Sequence, residues 1–243
     1  MGEKVSIRMA RRSDAGAILE IYAPYVLHTA ITFDYEVPEL SEYEEKIAHV
    51  LERYPFLVAE GDIEEEEKEE GKEKQEGEEK ESKEEKKVEA DEEESKEEKK
   101  AETKEKEERK ETKKTILGYA YAGTFKDRAA YDWACEMSIY VRRDLHRRGV
   151  GRALYEAMEE YLGKMGMINL YACIGIPEVE DEYLTFDSVH FHERMGYEMI
   201  GVFHRCGYKF GRWYHMCWME KCIAEHGAAG KINTIQEVLE GEE

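Results

Sequence analysis

Residues 62–114 read as a stretch that cannot build a core, and this governs every fold open to the chain. The block holds 26 acidic and 16 basic residues, a net charge of −10, and no aromatic residue. Too little apolar surface is present to offset the entropy of ordering it. A folded domain must therefore be assembled from two separated pieces, residues 1–61 and 115–222, with 223–243 as a C-terminal tail. The block interrupts what would be a tight turn near Gly61-Asp62. Closure cost grows only with the logarithm of loop length, so a fold tolerates such an insertion. Glu–Lys pairs four residues apart can support local helix. The expectation is a solvated spacer, disordered or partly helical, with an interaction tail as the alternative.

Without the block about 190 residues remain, enough for one domain with one substantial core. The whole chain carries −21. That balance argues against a nucleic-acid-binding protein, which needs a basic face. Five cysteines, Cys135, Cys173, Cys206, Cys217 and Cys222, form no Cys-x-x-Cys pair. Three of them, Cys135, Cys173 and Cys217, sit in apolar strand-like runs and are expected to be buried free thiols in a reducing compartment. Nothing supports a metal site. No apolar run reaches secretory or transmembrane character, so a cytoplasmic protein without a membrane partner is expected.

Strands are expected at 4–9, 56–59, 116–121, 137–141, 169–174, 198–204 and 214–220. Ser13-Asp14 is expected to cap a first helix with Ile18, Leu19, Ile21 and Tyr22 at helical spacing. Ser41 with Glu44 reads as a capping box for a second helix running to about Tyr54. Further helices are expected at 149–164, with Leu154, Met158 and Leu162 on one stripe, and from about Ser188 to Met195. Helices interleaved with strands argue an α/β layered domain.

The strongest functional signal is the passage from Ile139-Tyr140-Val141 through Arg147-Arg148-Gly149-Val150-Gly151-Arg152 into a helix. A strand feeding a glycine-punctuated turn and a helix N-terminus presents backbone N–H groups to an anion such as a pyrophosphate. Gly149 and Gly151 remove side chains from the approach, and the arginines add positive charge. The chain contains neither a Gly-x-x-x-x-Gly-Lys-Ser/Thr nor a Gly-x-Gly-x-x-Gly loop. The alternative is a basic strand–helix turn without a ligand.

This run resembles the Arg/Gln-x-x-Gly-x-Gly/Ala loop of GNAT-type N-acetyltransferases, with His146 where Gln or Arg is usual. Four other stretches add to the likeness: Arg53 to Glu60, Tyr119 to Ser138, Phe191 to Tyr197, and Gly207 to Trp213. Together they resemble the phosphinothricin/methionine sulfoximine N-acetyltransferase branch over roughly residues 4–60 and 115–221. The resemblance implies a mixed, mostly antiparallel central sheet flanked by helices, carrying a long charged insertion. It implies acetyl-CoA as acetyl donor, held by Ile139, Tyr140, Val141, the loop 147–152 and Ser188, and a small-molecule amine as acceptor. It also implies a strand that bulges and splays near Ile139, whose N–H serves as oxyanion donor. Thr185 departs from the branch's Asn, His215 replaces an acidic residue, and the 178–187 loop is longer than the branch's.

The chemistry needs a proton acceptor for the amine. Glu136 lies in the apolar run Trp133-Ala134-Cys135-Glu136-Met137, where burial raises a carboxyl pKa. A solvent-facing strand position is the alternative, and the resemblance places a catalytic Glu here. His192 matches a branch histidine and is expected to protonate the thiolate or bond the cofactor, with a structural role as the alternative. Lys126, Arg128 and Tyr131 resemble substrate-side positions, with Phe33 and Glu36 completing the pocket. Trp213 reads equally as core, dimer contact or substrate contact, and a homodimer stays among the partner readings. The resulting expectation is an N-acetyltransferase acting directly, without an acyl-enzyme. The alternatives are an acetyltransferase for peptide N-termini or other amines, and a silent acyl-CoA-binding module.

Overall fold

The computed structural model describes residues 5–61, 114–145 and 148–241. The Glu/Lys block 62–113, together with His146 and Arg147, lies outside the described residues. In chain order the elements are β1 Ser6–Met9, α1 Ala15–His28, α2 Leu40–Leu51, β2 Phe56–Gly61, β3 Thr115–Thr124 and β4 Ala134–Val141. They continue with α3 Val150–Met165, β5 Asn169–Ile176, α4 Asp187–Arg194, β6 Glu198–Lys209, β7 Arg212–Cys222 and α5 Ile235–Glu240. The strands form one sheet in the order β1-β2-β3-β4-β5-β7-β6. Every neighbouring pair is antiparallel except β4 with β5. This is the mixed, mostly antiparallel sheet flanked by helices that the resemblance implies.

Alternation along the strands gives the sheet two apolar faces. On one, Phe56, Val58, Tyr119 and Tyr140 pack under α1 and α2 with Ile18, Tyr22, Tyr25, Tyr43 and Ile47. On the other lies the α3 stripe of Leu154, Met158 and Leu162, all fully buried. Each such side chain contributes roughly 1.5–3 kcal/mol by leaving water. Arg8 ties β1 to both neighbours, with bonds of 2.7 and 2.9 Å to Asp14 and 2.8 and 2.6 Å to Glu60.

Several local expectations change. The capping box of α2 is Glu39 with Glu42, two residues earlier than Ser41 with Glu44, because the helix starts at Leu40. Asp14 stands at the N-cap of α1, but its carboxylate serves the Arg11 N–H and Arg8 instead of the helix. Cys173 is exposed, whereas Cys135 and Cys217 are buried. Strands β6 and β7 run longer than their apolar residues suggest, closing a hairpin at Phe210-Gly211 with two register shifts in the ladder. Trp213 is 59% exposed, which excludes core packing for it. Residues 223–241 lie along the domain. Asn233 N–H donates to Met165 O, Ile235 N–H donates to Arg53 O, and the Ile235 side chain is fully buried.

The β2–β3 ladder runs to the pair Gly61–Thr115, the two residues that flank the insertion. The domain thus needs no more there than a hairpin turn. Replacing residues 62–114 by a four-residue turn should leave a cooperative thermal transition. By loop-closure entropy the shortened chain gains up to about 2 kcal/mol. A non-cooperative melt, or a stability loss above about 1 kcal/mol in urea, would show that the block holds the domain together.

Candidate active site

The site is built on the one parallel pair of the sheet. β4 and β5 are in register only from Ala134–Asn169 to Glu136–Tyr171. Beyond Glu136, β4 stays with β3 as far as Val141–Gly118, and β5 stays with β7 as far as Ile176–His215. Each strand keeps its outer partner and loses the inner one, so a cleft opens between them. The expected bulge does not occur. The β3–β4 register is unbroken from Thr124–Cys135 to Gly118–Val141, and divergence of β5 makes the opening. Arg142 N–H donates to Leu117 O at 2.9 Å. Antiparallel alternation then turns the backbone groups of Met137, Ile139 and Val141 away from β3, toward the cleft. The Tyr25 hydroxyl donates to the Val141 carbonyl.

A cavity of about 60 Å³ lies in the cleft, with Ser138, Ile139 and Tyr140 on one wall, Cys173 and Ile174 on the other, and Tyr155, Ser188 and His192 lining it as well. Six expected residues of the site are thus accounted for in or beside the cleft: Ile139, Tyr140, Val141, Ser188, His192 and, at its fork, Glu136. The role of His192 changes, however. It is 3% exposed. Its Nδ1 lies 2.7 Å from the Ser188 carbonyl oxygen, which can only accept, so Nδ1 carries the proton. Burial outweighs that bond and pushes the imidazole down to about 4, so it is neutral. Nε2 then has no proton and accepts from the Tyr155 hydroxyl at 2.7 Å. His192 therefore has no proton to give into the cleft, and it serves to orient Tyr155. Sequence reading missed Tyr155, which sits beside the apolar stripe of α3. Its one signal is that a buried tyrosine hydroxyl needs a partner.

The glycine loop divides its labour. Gly149 is the N-cap of α3 with φ +86°, a left-handed conformation, and open space surrounds its Cβ position. The first intrahelical bond is Ala153 N–H to Gly149 O. The N–H groups of Val150, Gly151 and Arg152 precede it and have no acceptor within the helix, an arrangement able to receive an anion. Gly151 also serves packing, since a Cβ there would meet the Phe191 ring at 3.2 Å. Arg148 and Arg152 are exposed, and Arg152 lies 3.8 Å from Glu156. Val150 points into the core.

Glu136 is the last paired residue of the fork, opposite Gly123 on one side and Tyr171 on the other. Burial raises its carboxyl above the ordinary 4.5, and Lys126 draws it partly back. The Lys126 ammonium sits 4.8 Å over the Phe125 ring and 5.6 Å over Trp218. Arg128 and Tyr131 are exposed on the same loop. Cys173, two residues beyond Tyr171 on the same face, has its thiol pushed up to about 12 by desolvation and then by Glu136. It is a poor thiolate nucleophile at neutral pH. Phe33 lies beside Gly175, which lines the cleft, 3.6 Å from where a Cβ would stand there. Phe33 fills a slot over Gly207, where a Cβ would come within 2.4 Å of its ring, and Glu36 is exposed. Buried Lys209 donates to Thr32 O at 2.8 Å and fastens that loop to the β6–β7 hairpin.

Among the described residues no cluster of His, Cys, Asp or Glu could hold a metal, and no helix is long and apolar enough to cross a membrane. The acetyltransferase (GNAT) domain family matches residues 7–89 and 74–218. Phosphinothricin N-acetyltransferase of Streptomyces viridochromogenes is 25% identical over 217 residues, covering 89% of this chain and 87% of that protein. The L-methionine sulfoximine/L-methionine sulfone acetyltransferase of Salmonella typhimurium is 24% identical over 228 residues, covering 92% and 98%. In fold, the chain is similar to a GNAT superfamily phosphinothricin acetyltransferase from Sinorhizobium meliloti solved with AcCoA. The TM-score is 0.64 at 23% identity, over 94% of this chain and 93% of that one.

The buried imidazole makes stability depend on pH with a definite sign. Folded His192 stays neutral to about 4, whereas an unfolded imidazole protonates near 6.5. The unfolded state binds the extra proton, so its contribution is fully present above 6.5 and is lost as pH falls toward 4, by up to about 3 kcal/mol. The stability gap between wild type and His192→Gln, measured by urea unfolding, should therefore shrink on acidification. A gap that stays constant between about pH 7 and about pH 4.5 would mean that the imidazole protonates in the folded state.

Proposed function

The chain belongs to the GNAT acetyltransferase family, and on that premise we propose that it transfers the acetyl group of acetyl-CoA to the α-amine of a small amino-acid-like acceptor. Methionine sulfoximine and phosphinothricin are the leading analogues, since relatives of this chain carry those names. The observation that carries the reading is the position of Glu136. It is the last paired residue before the strands part, and three residues later the Ile139 N–H faces the cleft.

The residues present suit the donor. Gly149 leaves space at the N-terminus of α3, and the N–H groups of Val150, Gly151 and Arg152 suit a pyrophosphate. Arg147, outside the described residues, and Arg148 belong to the same proposal. The donor supplies an activated acetyl thioester. Glu136, its carboxyl raised by burial, takes the proton from the acceptor ammonium, directly or through one water. The Ile139 N–H stabilises the charge that grows on the acyl oxygen. Neutral His192 and Tyr155 shape the base of the cleft. Thiols are far stronger acids than alcohols, with cysteine at about 8.5, so the thiolate leaves without strong acid help. Lys126, Arg128 and Tyr131 form the acceptor side, and Phe33 and Glu36 its outer loop. Direct attack is the proposed route, and a Cys173 thiol pushed up to about 12, a poor thiolate nucleophile, favours it. Free thiols throughout suit a cytoplasmic protein, and exposed Phe203 and Trp213 on the β6–β7 hairpin are where a homodimer contact is assigned.

Glu136→Gln keeps the shape and removes the proton acceptor. It should lower kcat by about 10² to 10⁴-fold at neutral pH with little change in KM, and the deficit should shrink in alkali. In the wild type the acidic limb of kcat/KM should lie above the ordinary carboxyl value of 4.5. A mutant with near wild-type kcat at neutral pH removes Glu136 from the chemistry.

Gly149→Glu puts a strained φ and a negative charge at the anion site. Acetyl-CoA affinity by calorimetry should fall at least about tenfold, about 1.4 kcal/mol. Unchanged affinity in a folded variant would end the proposal for the loop.

A further inference from the structure

A second and larger cavity, about 280 Å³, lies beside Glu136 and is not used by the chemistry above. Its walls include the rings of Phe125, Tyr131, Trp133 and Tyr171, with Asn169 and His226 at its edge. Ala134 also lines it, two residues before Glu136 and therefore on the same face, roughly 7 Å along the strand. Tyr171 is the residue paired with Glu136. Glu136 does not itself line the cavity, and Ala134 and Tyr171 are the wall residues that connect the two.

Its chemistry is uniform. Phe125 stacks on Tyr171 at 4.2 Å and meets Tyr131 edge-on at 6.0 Å. The rings therefore present both faces and edges, the surfaces that aromatic partners prefer. No Lys, Arg, Asp or Glu lines the cavity, and the Lys126 ammonium, 4.8 Å over the Phe125 ring, is not part of its wall. The far wall, residues 226–229, lies beyond the family match, which ends at 218. It is held in place by Trp133 Nε1 donating to Gly230 O at 2.9 Å and by the His226–Asn169 contact at 2.9 Å.

We propose that this cavity is a specificity subsite that takes the planar aromatic side chain of an amino-acid acceptor, with the α-amine directed at Glu136. The proposal rests on the acetyltransferase reading. It gives that reading a side-chain class, apolar and flat, distinct from the anionic side chain that Lys126 and Arg128 alone would suit.

The test uses the full chain with acetyl-CoA and compares L-phenylalanine and L-tryptophan with L-alanine. The aromatic acceptors should exceed L-alanine in kcat/KM by at least about tenfold. Ala130→Trp fills the cavity from the loop side, and Ala229→Trp fills it from the opposite wall in case the first does not fold. Either should cut the aromatic-to-alanine ratio at least about tenfold. Aromatic acceptors no better than L-alanine, or a ratio untouched by both fillings, would overturn the subsite. If no amine is acetylated, the acetyltransferase reading fails separately. Phenethylamine binding by saturation-transfer NMR then decides the cavity. Binding lost in the filled variants supports it, and absence of binding to the wild type overturns it.

Discussion

The short parallel contact between β4 and β5 is what the rest of the molecule depends on. Three residue pairs hold the two halves of the sheet together, from Ala134–Asn169 to Glu136–Tyr171. A longer ladder would close the cleft, and a shorter one would leave the halves joined by little more than helices. Backbone groups that leave a ladder must find other partners or face water. The Val141 carbonyl finds the Tyr25 hydroxyl, and the Ile139 groups face the cleft. The fork is stable because both strands keep complete ladders on their outer sides. The cleft therefore exposes the inner edges of β4 and β5 only beyond Glu136, while both strands stay paired on their outer sides.

Much of this was legible in the chain. The glycine turn after an apolar run marks the strand–helix passage, and a lone carboxylate among Trp, Ala, Cys and Met marks Glu136. Features that depend on distant neighbours were not. Cys173 looks like a core position because its flanks are apolar, yet β5 has lost its inner partner there and the side chain is exposed. Gly151 looks like a phosphate glycine, and only the approach of Phe191 from α4 reveals that it makes room for packing. His192 looks like an acid until the Ser188 carbonyl fixes its tautomer. The length of β6 is hidden by its polar content, because an edge strand need not alternate cleanly. Residues 226–229 carry no motif, and their contribution to a cavity wall follows only from how the segment lies on the sheet.

The proposed acceptor side is held by a different physics from the proposed donor side. There the groups are side chains: the aromatic stack of Phe125 and Tyr171, Lys126 above Phe125, and Phe33 seated over Gly207. In the proposed function, donor recognition falls mainly to backbone, at Ile139 and the start of α3. Backbone geometry changes little when residues are substituted, whereas side-chain walls change with each one. Acceptor preference can therefore drift within this family while the donor stays the same.

The paired ends Gly61 and Thr115 have one more consequence. Nearly half of the chain's net charge, −10 of −21, belongs to a segment attached at two adjacent points on one hairpin. Colloidal behaviour follows net charge, and catalysis follows the fork. The two properties sit on separate parts of the chain. Selection can lengthen, shorten or recharge that segment to tune solubility in a crowded or salty medium, and no residue of the sheet need change to accommodate it.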